Sequence, residues 1–238
     1  MYSETAALYD TIYAGIKDYP RESTDLAALV RDLVPSATRI LDVACGTGRR
    51  AALLAETHGF TVDGIDLDDA MVGIASRRCP RGRFETADMS DFELGRVYDA
   101  ILCLFSSIGY VRTTDRLVGA VRCMAQHVRP GGLVLIEPWF EPGVLEHGFV
   151  AATTAVKDGT HIARVSHTRL EAGLSHVTFE YIIGNREGLR RASETHTLGL
   201  FTSAEMTDAI CGAGLEVIRH DVGGPMGRGL YVARRPPA

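Results

Sequence analysis

Residues 41–48 read LDVACGTG, and this segment constrains the fold more than any other part of the chain. The apolar stretch 39–44 lacks the alternation of a half-exposed strand, which is typical of a strand buried on both faces of a parallel sheet. Gly46 and Gly48 let the backbone turn tightly and approach a ligand without a Cβ clash. Because open α/β sheets bind ligands at the carboxyl ends of their strands, a ligand site is predicted beside this glycine loop, residues 44–48.

Strands alternate with helices along the first half of the chain, and this order predicts a doubly wound, mostly parallel sheet. The predicted strands are 39–44, 61–65, 83–86, 98–104 and 133–137, and the predicted helices are 49–58, 70–78 and 117–127. A later block contains only strand patterns and predicts an inserted antiparallel sheet, with strands at 150–156, 161–170, 175–183 and 192–200. A partly formed cap at Thr202-Ser203 opens a helix over 203–213. A closing hairpin is predicted from strands 215–219 and 229–233. Helices are also predicted within 3–34, the second capped by Ser23-Thr24-Asp25.

Composition and charge exclude several classes of protein. The 238 residues carry a formal net charge of −5, so no broad positive field is available for nucleic acid. The five cysteines are scattered without CxxC spacing, which favours reduced thiols over a disulfide framework or a metal site. No stretch approaches the roughly 18 apolar residues of a membrane span, and the N-terminus has no apolar signal core. We therefore expect a soluble, cytoplasmic protein that binds no nucleic acid, membrane or metal.

Polar side chains end successive predicted strands. Asp42 can accept a hydrogen bond from a ligand ammonium, directly or through water. Asp66 follows the glycine loop by about 20 residues, where an acid accepts from ribose hydroxyls, although it could also be a plain helix cap. Taken alone, the glycine loop and Asp66 would suit NAD as a ligand equally well. Asp88, after the third strand, can accept from an adenine amino group while Met89 packs on the ring, and residues 104–110 (LFSSIGY) follow the fourth strand.

Taken together, these motifs resemble class I S-adenosylmethionine-dependent methyltransferases. The resemblance rests on VACGTG, the acid at 66, the DM pair at 88–89, FSSIG, PGG and EPW. A narrower likeness covers nearly the whole chain and points to nucleotide-linked amino-sugar N,N-dimethyltransferases, which finish desosamine and mycaminose for macrolide antibiotics. It rests on MY at 1–2, ALYD at 7–10, KDY at 17–19, EPW at 137–139, RVSH at 164–167, LFT at 200–202 and GGPMGRGL at 223–230.

The resemblance implies S-adenosylmethionine as cofactor and a small-molecule acceptor, such as a dTDP-linked amino sugar. Cofactor contacts are expected from Tyr19, Asp42, Ala44, Cys45, Gly46, Gly48, Asp66, Leu67, Met71, Asp88, Met89 and Leu104. Acceptor contacts are expected from Tyr2, Tyr9, Ser106, Ser107, Trp139 and Arg228. Arg228 suits a diphosphate, because a guanidinium offers a fixed fork of donors; a structural ion pair is the alternative. Trp139 is either core or a wall on which the acceptor stacks.

Two departures from the family lie close to the expected acceptor site. Position 110 is usually His, near the reacting amine, and is Tyr110 here. Arg50 stands where a His is expected after the glycine loop. A phenol has an ordinary pKa near ~10, so Tyr110 is predicted to position the acceptor first and to act as a base second. Tyr110, His127 or a water molecule could receive the amine proton, and the sequence does not choose between them.

The implied organisation is a helical lid (1–34), a cofactor-binding core (35–149 and 201–238) and an antiparallel insert (150–200). The favoured function is N-methylation of an amino sugar or similar amine, and the runner-up is O-methylation of another small natural product. A nicotinamide-dependent oxidoreductase would use Gly46, Gly48 and Asp66 but would leave Asp88 and Met89 unexplained. A cofactor-binding module without turnover is a third reading. Both the insert and the helix 117–127 offer surfaces for a homodimer, and we favour the insert.

Overall fold

A computed structural model describes residues 9–13, 17–224 and 227–237. Tyr2, predicted to contact the acceptor, lies outside the described residues. The helices are α1 (Tyr9–Tyr13), α2 (Tyr19–Leu33), α3 (Arg49–Glu56), α4 (Asp69–Arg78), α5 (Thr114–His127) and α6 (Ser203–Gly212), with a 3₁₀ segment at Ser107–Val111. The strands are β1 (Arg39–Val43), β2 (Thr61–Asp66), β3 (Phe84–Thr86), β4 (Tyr98–Cys103), β5 (Val128–Ile136), β6 (Val150–Lys157), β7 (Thr160–Glu171), β8 (Leu174–Asn185), β9 (Gly188–Gly199), β10 (Glu216–Asp221) and β11 (Leu230–Arg234).

The main sheet has seven strands in the order β10-β11-β5-β4-β1-β2-β3. The strands from β5 to β3 pair in parallel, whereas β11 pairs antiparallel with β5 and with β10. This confirms the predicted fold class, including the hairpin that completes one edge. The carboxyl ends of β1, β2, β3 and β4 therefore meet at one edge of the sheet.

Helices cover both faces of the main sheet. In β4, Ala100 and Leu102 pack into the cluster that contains α2 and α3. The intervening Ile101 and Cys103 pack into the cluster that contains α5 and α6. Every one of these four side chains is fully buried, which explains why the strand sequences show no polar alternation.

The block of strand patterns forms a separate four-stranded antiparallel sheet in the order β6-β7-β8-β9, here called the inserted sheet. Its inner face, which includes Ile162, Tyr181 and Ile183, packs against Ile12 and Tyr13 of α1. The short N-terminal helix is thus held between the glycine loop and the inserted sheet. This arrangement closes the space above the strand ends.

Three local predictions were wrong in detail. Helix α2 begins at Tyr19, where Asp18 caps it by accepting from Arg21 N, rather than at residues 23–25. Pro20 lies in its first turn, where the missing N–H leaves no helical hydrogen bond unmade. The fifth strand was predicted to begin at residue 133, whereas β5 begins at Val128 and includes residues 130–132. Thr202 and Glu205 form a complete capping box, not the partial one expected.

Within the described residues, no helix combines the length and the apolar character that crossing a membrane requires.

Candidate active site

A cavity of about 690 Å³ lies at the carboxyl edge of the main sheet, beneath the inserted sheet. Twelve of the residues predicted from the sequence line it, and they come from α1, five segments of the core and the loop before β11. These are Tyr9, Ala44, Gly46, Asp66, Leu67, Met71, Asp88, Met89, Ser107, Tyr110, Trp139 and Arg228. A smaller cavity of about 30 Å³ adjoins it through shared walls and is lined by Tyr19, Cys45 and Leu104.

Three predicted residues lie off these walls. Asp42 is fully buried behind the glycine loop, and its Oδ1 contacts Arg50 Nη1 at 3.3 Å. Ser106 is buried and donates through Oγ to the Pro138 carbonyl at 2.6 Å. Gly48 packs against α4. These residues support the walls from behind, and the ligand contacts expected of them stay a prediction.

The two glycines of the glycine loop have different surroundings. Both have positive φ, +56° at Gly46 and +69° at Gly48. A Cβ on Gly46 would meet no protein atom within 4 Å, so the space beside this backbone is open to the cavities. A Cβ on Gly48 would lie 2.7 Å from that of Ala75. Gly46 therefore leaves room for a ligand, whereas Gly48 permits close packing of two helices.

Asp66 is held in place by backbone donors. Its Oδ2 accepts from Gly46 N at 2.8 Å and its Oδ1 accepts from Asp68 N at 3.0 Å. Burial raises the pKa of Asp66 above its ordinary value. The helix cap of α4 is Asp68, which accepts from Ala70 N and Met71 N, so Asp66 does not act as that cap. Since a carboxylate offers about four lone-pair sites, Asp66 can still accept from a ligand hydroxyl.

Asp88 is fixed beside Met89 by three donors. Its Oδ1 accepts from Ser90 N at 2.9 Å and Ser90 Oγ at 2.8 Å, and its Oδ2 contacts Arg116 Nη2 at 2.6 Å. Burial raises its pKa, but the hydrogen bonds from Ser90 and Arg116 outweigh that effect and lower it. Asp88 is therefore an ionised acceptor on the cavity wall.

The loop after β4 is clamped to the end of β5. Phe105 and Ser106 both have positive φ, an uncommon conformation for residues with side chains. Phe105 N donates to Glu137 Oε2 at 2.8 Å, and Ser106 Oγ bonds the neighbouring Pro138. The FSSIG and EPW motifs thus interlock, and this holds the Phe105 ring on the cavity wall.

A buried charge cluster surrounds the smaller cavity. Burial raises the pKa of Asp42, and Arg50 partly offsets this. Burial and the nearby Arg50 cation lower the pKa of Lys17 to about 8, although Glu22 pairs with it at 3.1 Å. Lys17 also lies over the rings of Phe105 and Tyr19, 4.1 Å and 4.6 Å from their centroids. The cluster suits a ligand that carries both an amine and a carboxylate.

Two guanidinium groups reach the large cavity, from the buried Arg164 and from Arg228, whose side chain is 9% exposed. Arg228 Nη2 lies 3.8 Å from Glu137 Oε1, and its guanidinium lies over the Trp139 ring at 5.1 Å. Both readings of Arg228 therefore apply, because it has an ion-pair partner and also faces the cavity. Arg228 Nε and Arg164 Nη1 are buried without a hydrogen-bond partner among the described residues. Such donors are expected to be satisfied by a ligand or water.

Tyr110 and Trp139 connect the core to the inserted sheet. Tyr110 OH lies 2.7 Å from His196 Nδ1 in β9, and Trp139 Nε1 donates to Ser175 Oγ in β8 at 2.8 Å. His127, the other side chain predicted as a candidate to receive the amine proton, is buried away from the cavity. Its Nε2 accepts from Leu94 N and its Nδ1 bonds the Cys123 carbonyl.

Sequence reasoning missed several wall residues. Those from the inserted sheet are Arg164, Val177, Phe179, His196 and Leu198, and Tyr13 and Arg116 line the cavity as well. The alternating positions of Val177 and Phe179 in β8, and of His196 and Leu198 in β9, could be recognised in the sequence. Nothing in the sequence shows which face of a second sheet covers the site. No group of three or more potential metal ligands occurs in the described ranges of the chain.

The site fits S-adenosylmethionine. Gly46 offers open backbone, and Asp66 and Asp88 are acceptors at the positions expected for ribose and adenine. Met71 and Met89 supply apolar wall between them. The smaller cavity adds the charged groups that the methionine portion requires. The residues that line the two cavities thus provide an acceptor, an apolar or a charged group for each part of this cofactor.

Comparison with known proteins agrees with this geometry. The family described as "Methyltransferase domain" matches residues 40–132. The chain is 40% identical over 229 residues to dTDP-3-amino-3,4,6-trideoxy-alpha-D-glucopyranose N,N-dimethyltransferase of Streptomyces venezuelae, covering 95% of this chain and 96% of that protein. It is 43% identical to dTDP-3-amino-3,6-dideoxy-alpha-D-glucopyranose N,N-dimethyltransferase of Streptomyces fradiae, covering 96% and 89%. The solved structure of SAM-bound CalS10, an amino pentose methyltransferase from Micromonospora echinaspora, superposes with a TM-score of 0.87 at 34% identity, covering 96% of each chain.

Proposed function

The chain belongs to the dTDP-amino-sugar N,N-dimethyltransferases, a family of S-adenosylmethionine-dependent enzymes, and we propose that it methylates the amino nitrogen of a dTDP-linked amino sugar twice. S-adenosylmethionine, when bound, supplies a methyl group already activated on a sulfonium sulfur. The protein's own task is therefore to align an amine with that methyl group and to exclude water.

The cofactor is proposed to lie along the strand ends. Gly46, Asp66, Leu67, Met71, Asp88 and Met89 would hold its nucleoside part in the large cavity. Tyr19, Ala44, Cys45 and Leu104 would surround its methionine part at the smaller cavity. Asp42 and Gly48 would support these walls from behind.

One observation carries the assignment of the acceptor: the large cavity contains two guanidinium groups with buried, unsatisfied N–H donors. Arg228 and Arg164 each retain a buried nitrogen without a partner among the described residues. A buried guanidinium suits a diphosphate, which it can bind through two parallel hydrogen bonds. A neutral or cationic small amine would leave these buried N–H donors unsatisfied. A nucleoside-diphosphate sugar fits this requirement and leaves its amine free to reach Tyr110.

Apolar rings enclose the remainder of this space. Tyr13 and Phe105 pack edge to face at 5.2 Å, and Phe179 and Trp139 line the same cavity. Such walls remove water from the reacting amine, which needs an exposed lone pair rather than a hydration shell. Tyr9, Ser107 and Trp139 are proposed to contact the acceptor beside them.

We propose that residues 1–34 act as a lid, with 35–149 and 201–238 as the cofactor-binding core and 150–200 as an acceptor-binding insert. The described part of the lid is tied to the core. Thr47 Oγ1 in the glycine loop donates to Asp10 Oδ1 at 2.7 Å. Tyr13 packs with the inserted sheet, so α1 contacts both sides of the cavity.

We further propose a cytoplasmic homodimer. All five cysteines are free thiols, four of them buried, as suits a reducing compartment. The outer face of the inserted sheet exposes Val150, Val156, Val165 and Ile182, each with 48–63% of its surface accessible. An exposed apolar face of this kind supports pairing of two copies.

The proposed function is tested by incubating the protein with S-adenosylmethionine and a dTDP-3-amino sugar and counting added methyl groups by mass spectrometry. The dimethylamine is expected, with the monomethylamine appearing first. The matched dTDP-3-hydroxy sugar should remain unmodified. Methylation of the hydroxy sugar alone would favour the O-methyltransferase alternative.

Arg228→Met tests the acceptor site within the same assay. Losing hydrogen bonds from a charged group should raise KM for the nucleotide sugar by roughly 10- to 100-fold. The affinity for S-adenosylhomocysteine should stay within twofold. Arg219→Met, at an exposed arginine of β10, is the control and should change neither quantity. An unchanged KM in Arg228→Met would remove this residue from the acceptor site.

A further inference from the structure

A chain of polar side chains leads from the cavity wall into the inserted sheet. Tyr110 OH lies 2.7 Å from His196 Nδ1, and His196 Nε2 lies 3.3 Å from Glu194 Oε1. Tyr181 OH in turn donates to the same Glu194 oxygen at 2.6 Å. Tyr110 and His196 line the large cavity, whereas Glu194 lies deeper. Two successive contacts therefore join the predicted acceptor site to a buried carboxylate, and Tyr181 contacts that carboxylate from the other side.

The direction of each hydrogen bond follows from the chemistry of the groups. The 3.3 Å contact between His196 Nε2 and Glu194 Oε1 is a charge contact and not a formed hydrogen bond. A carboxylate this close disfavours a lone pair on Nε2, so we place the proton of the neutral ring on that nitrogen. In a neutral imidazole the other nitrogen is then an acceptor, and Tyr110 donates its hydroxyl proton to Nδ1. This is the arrangement in which a carboxylate orients a histidine, and the histidine activates a hydroxyl.

Burial keeps the relay away from bulk water. The side chains of His196 and Glu194 are 2% and 8% exposed. Burial and the Glu194 carboxylate raise the pKa of Tyr181, so Tyr181 remains a donor to that carboxylate. Glu194, His196 and Tyr181 share the inner face of the inserted sheet, since alternate residues along a strand point to the same side.

Other charged and titratable groups surround the relay. Arg164 of β7 lies over the Phe179 ring at 4.8 Å, and Phe179 packs on the His196 ring at 5.3 Å. Tyr9 and Tyr13 of α1 face the same cavity. Glu194 is the anion in direct contact with His196, and Arg164 is the cation on the same sheet face.

We propose that His196 receives, through Tyr110, the proton that the acceptor ammonium must lose before its nitrogen can accept a methyl group. This inference rests on the proposed function. An N–H bond of the ammonium breaks and its electron pair stays on nitrogen, while the proton bonds the Tyr110 oxygen. The original Tyr110 proton passes to His196 Nδ1, and Glu194 stabilises the resulting imidazolium. Because one proton arrives as another leaves, no free phenolate forms, and the weak basicity of a phenol ceases to be an obstacle.

The relay also explains how the chain functions with tyrosine at position 110. A tyrosine placed against His196 transmits a proton to an imidazole one step farther from the amine. Tyr110 would touch the acceptor, and His196 and Glu194 would act through it.

The test compares Tyr110→Phe, His196→Gln and Glu194→Gln with wild type over about pH 6 to 9, a range that includes neutrality. We expect kcat at neutral pH to fall by roughly 10²-fold in His196→Gln and Tyr110→Phe, a typical contribution of general-base catalysis. The acidic limb of the kcat profile should disappear in His196→Gln. S-adenosylhomocysteine affinity should remain within about twofold in all three variants.

Nitrogen NMR of histidine-labelled protein gives a readout without turnover. The neutral His196 ring should carry its proton on Nε2 in wild type and lose that preference in Glu194→Gln, because the carboxylate that favours this tautomer is gone. The control is His176→Gln, since His176 lies on β8, bonds Thr197 Oγ1 and does not line the cavity. That variant should leave kcat and its pH profile unchanged.

Several outcomes would overturn the relay. Loss of kcat in His196→Gln with the acidic limb retained would show a merely structural role. A His196 tautomer that does not change in Glu194→Gln would remove the carboxylate from the relay. Wild-type protein that binds S-adenosylhomocysteine but methylates no amino-sugar nucleotide would refute the proposed function itself, and the relay with it.

Discussion

Asp10 in α1 and Arg78 at the end of α4 form a salt bridge in which Oδ2 and Nη2 are 2.6 Å apart. Arg78 Nη1 also donates to the Thr47 carbonyl and hydroxyl oxygens at 2.9 Å and 2.7 Å. The N-terminal helix, the glycine loop and α4 are therefore joined by one group of charges. If this segment is a lid, these contacts hold it in the closed position.

Asp10→Asn should weaken cofactor binding by loosening that closure. Both side chains are partly shielded, so the loss should be about 1 kcal/mol, or a rise of about fivefold in Kd for S-adenosylhomocysteine. Isothermal titration measures it. Asp25→Asn, which breaks an exposed pair with Arg21 in α2, is the control and should leave Kd unchanged. Equal affinities in Asp10→Asn and wild type would argue against a lid latched at this point.

The buried pair of Asp42 and Arg50 should show strong coupling in stability. Arg50→Met leaves a buried carboxylate uncompensated and should lower the unfolding free energy by about 3–5 kcal/mol. The double variant Asp42→Asn/Arg50→Met should recover most of that loss, as measured by urea unfolding in a double-mutant cycle. Arg21→Met, whose side chain is 80% exposed, should change stability by less than about 0.5 kcal/mol. Additive effects at 42 and 50 would contradict the pairing.

The strand-end residues were predictable because one topological rule places them. Parallel strands bring their carboxyl ends to one edge, so Gly46, Asp66 and Asp88 could be grouped before any distance was known. The start of α2 was misplaced because Pro20 was taken as a break, whereas in a first turn proline is compatible with a helix.

The inserted sheet limited what the sequence could predict about the acceptor site. His196 reaches Tyr110 across 86 residues of chain, and that contact depends on which face of β9 turns inward. The ion pair between Asp42 and Arg50 was not predicted either. Arg50 was interpreted as a change from the family's histidine near the acceptor site and not as a buried counterion. Sequence patterns indicate which segments form helices or strands and which face of each is apolar. They do not indicate which two of these faces pack against each other.

Lys17 should make stability depend on pH above neutrality. Its pKa is about 8 in the folded protein against an ordinary value of 10.5, so between these limits the unfolded chain binds more protons. The unfolding free energy of wild type should therefore rise relative to Lys17→Met as pH increases through this window, by up to about 1.4 kcal/mol per pH unit. The measurement is the difference between the two stability curves.

Glu22 provides a matched check on that result. Its carboxylate raises the pKa of Lys17, so Glu22→Gln should move the rise in stability to lower pH. A difference curve that is flat between pH 8 and 10.5 would show that Lys17 is not held in this buried environment.

Dimerisation through the inserted sheet should be sensitive to charge on its outer face. Val165 and Ile182 lie on that face and are 48% and 50% exposed. Val165→Glu or Ile182→Glu should yield monomers in light scattering while S-adenosylhomocysteine still binds. Val222→Glu, at a 77% exposed valine outside this sheet, should remain dimeric. Wild type that is monomeric at high concentration would refute the proposed interface.

Gly109 in the 3₁₀ segment should not tolerate a side chain. A Cβ there would lie 3.1 Å from both Leu198 Cβ and Trp139 Cβ, which join the segment to β9 and to the end of β5. Gly109→Ala should destabilise the protein by about 1–3 kcal/mol, the usual cost of overpacking, and should displace Tyr110 beside it. Gly212→Ala is the control, because its Cβ meets nothing within 4 Å and alanine favours the helix by roughly 0.5–1 kcal/mol. If both variants proved equally stable, the contact between the 3₁₀ segment and the inserted sheet would be looser than these distances indicate, and the path from Tyr110 to His196 would lose its rigid support.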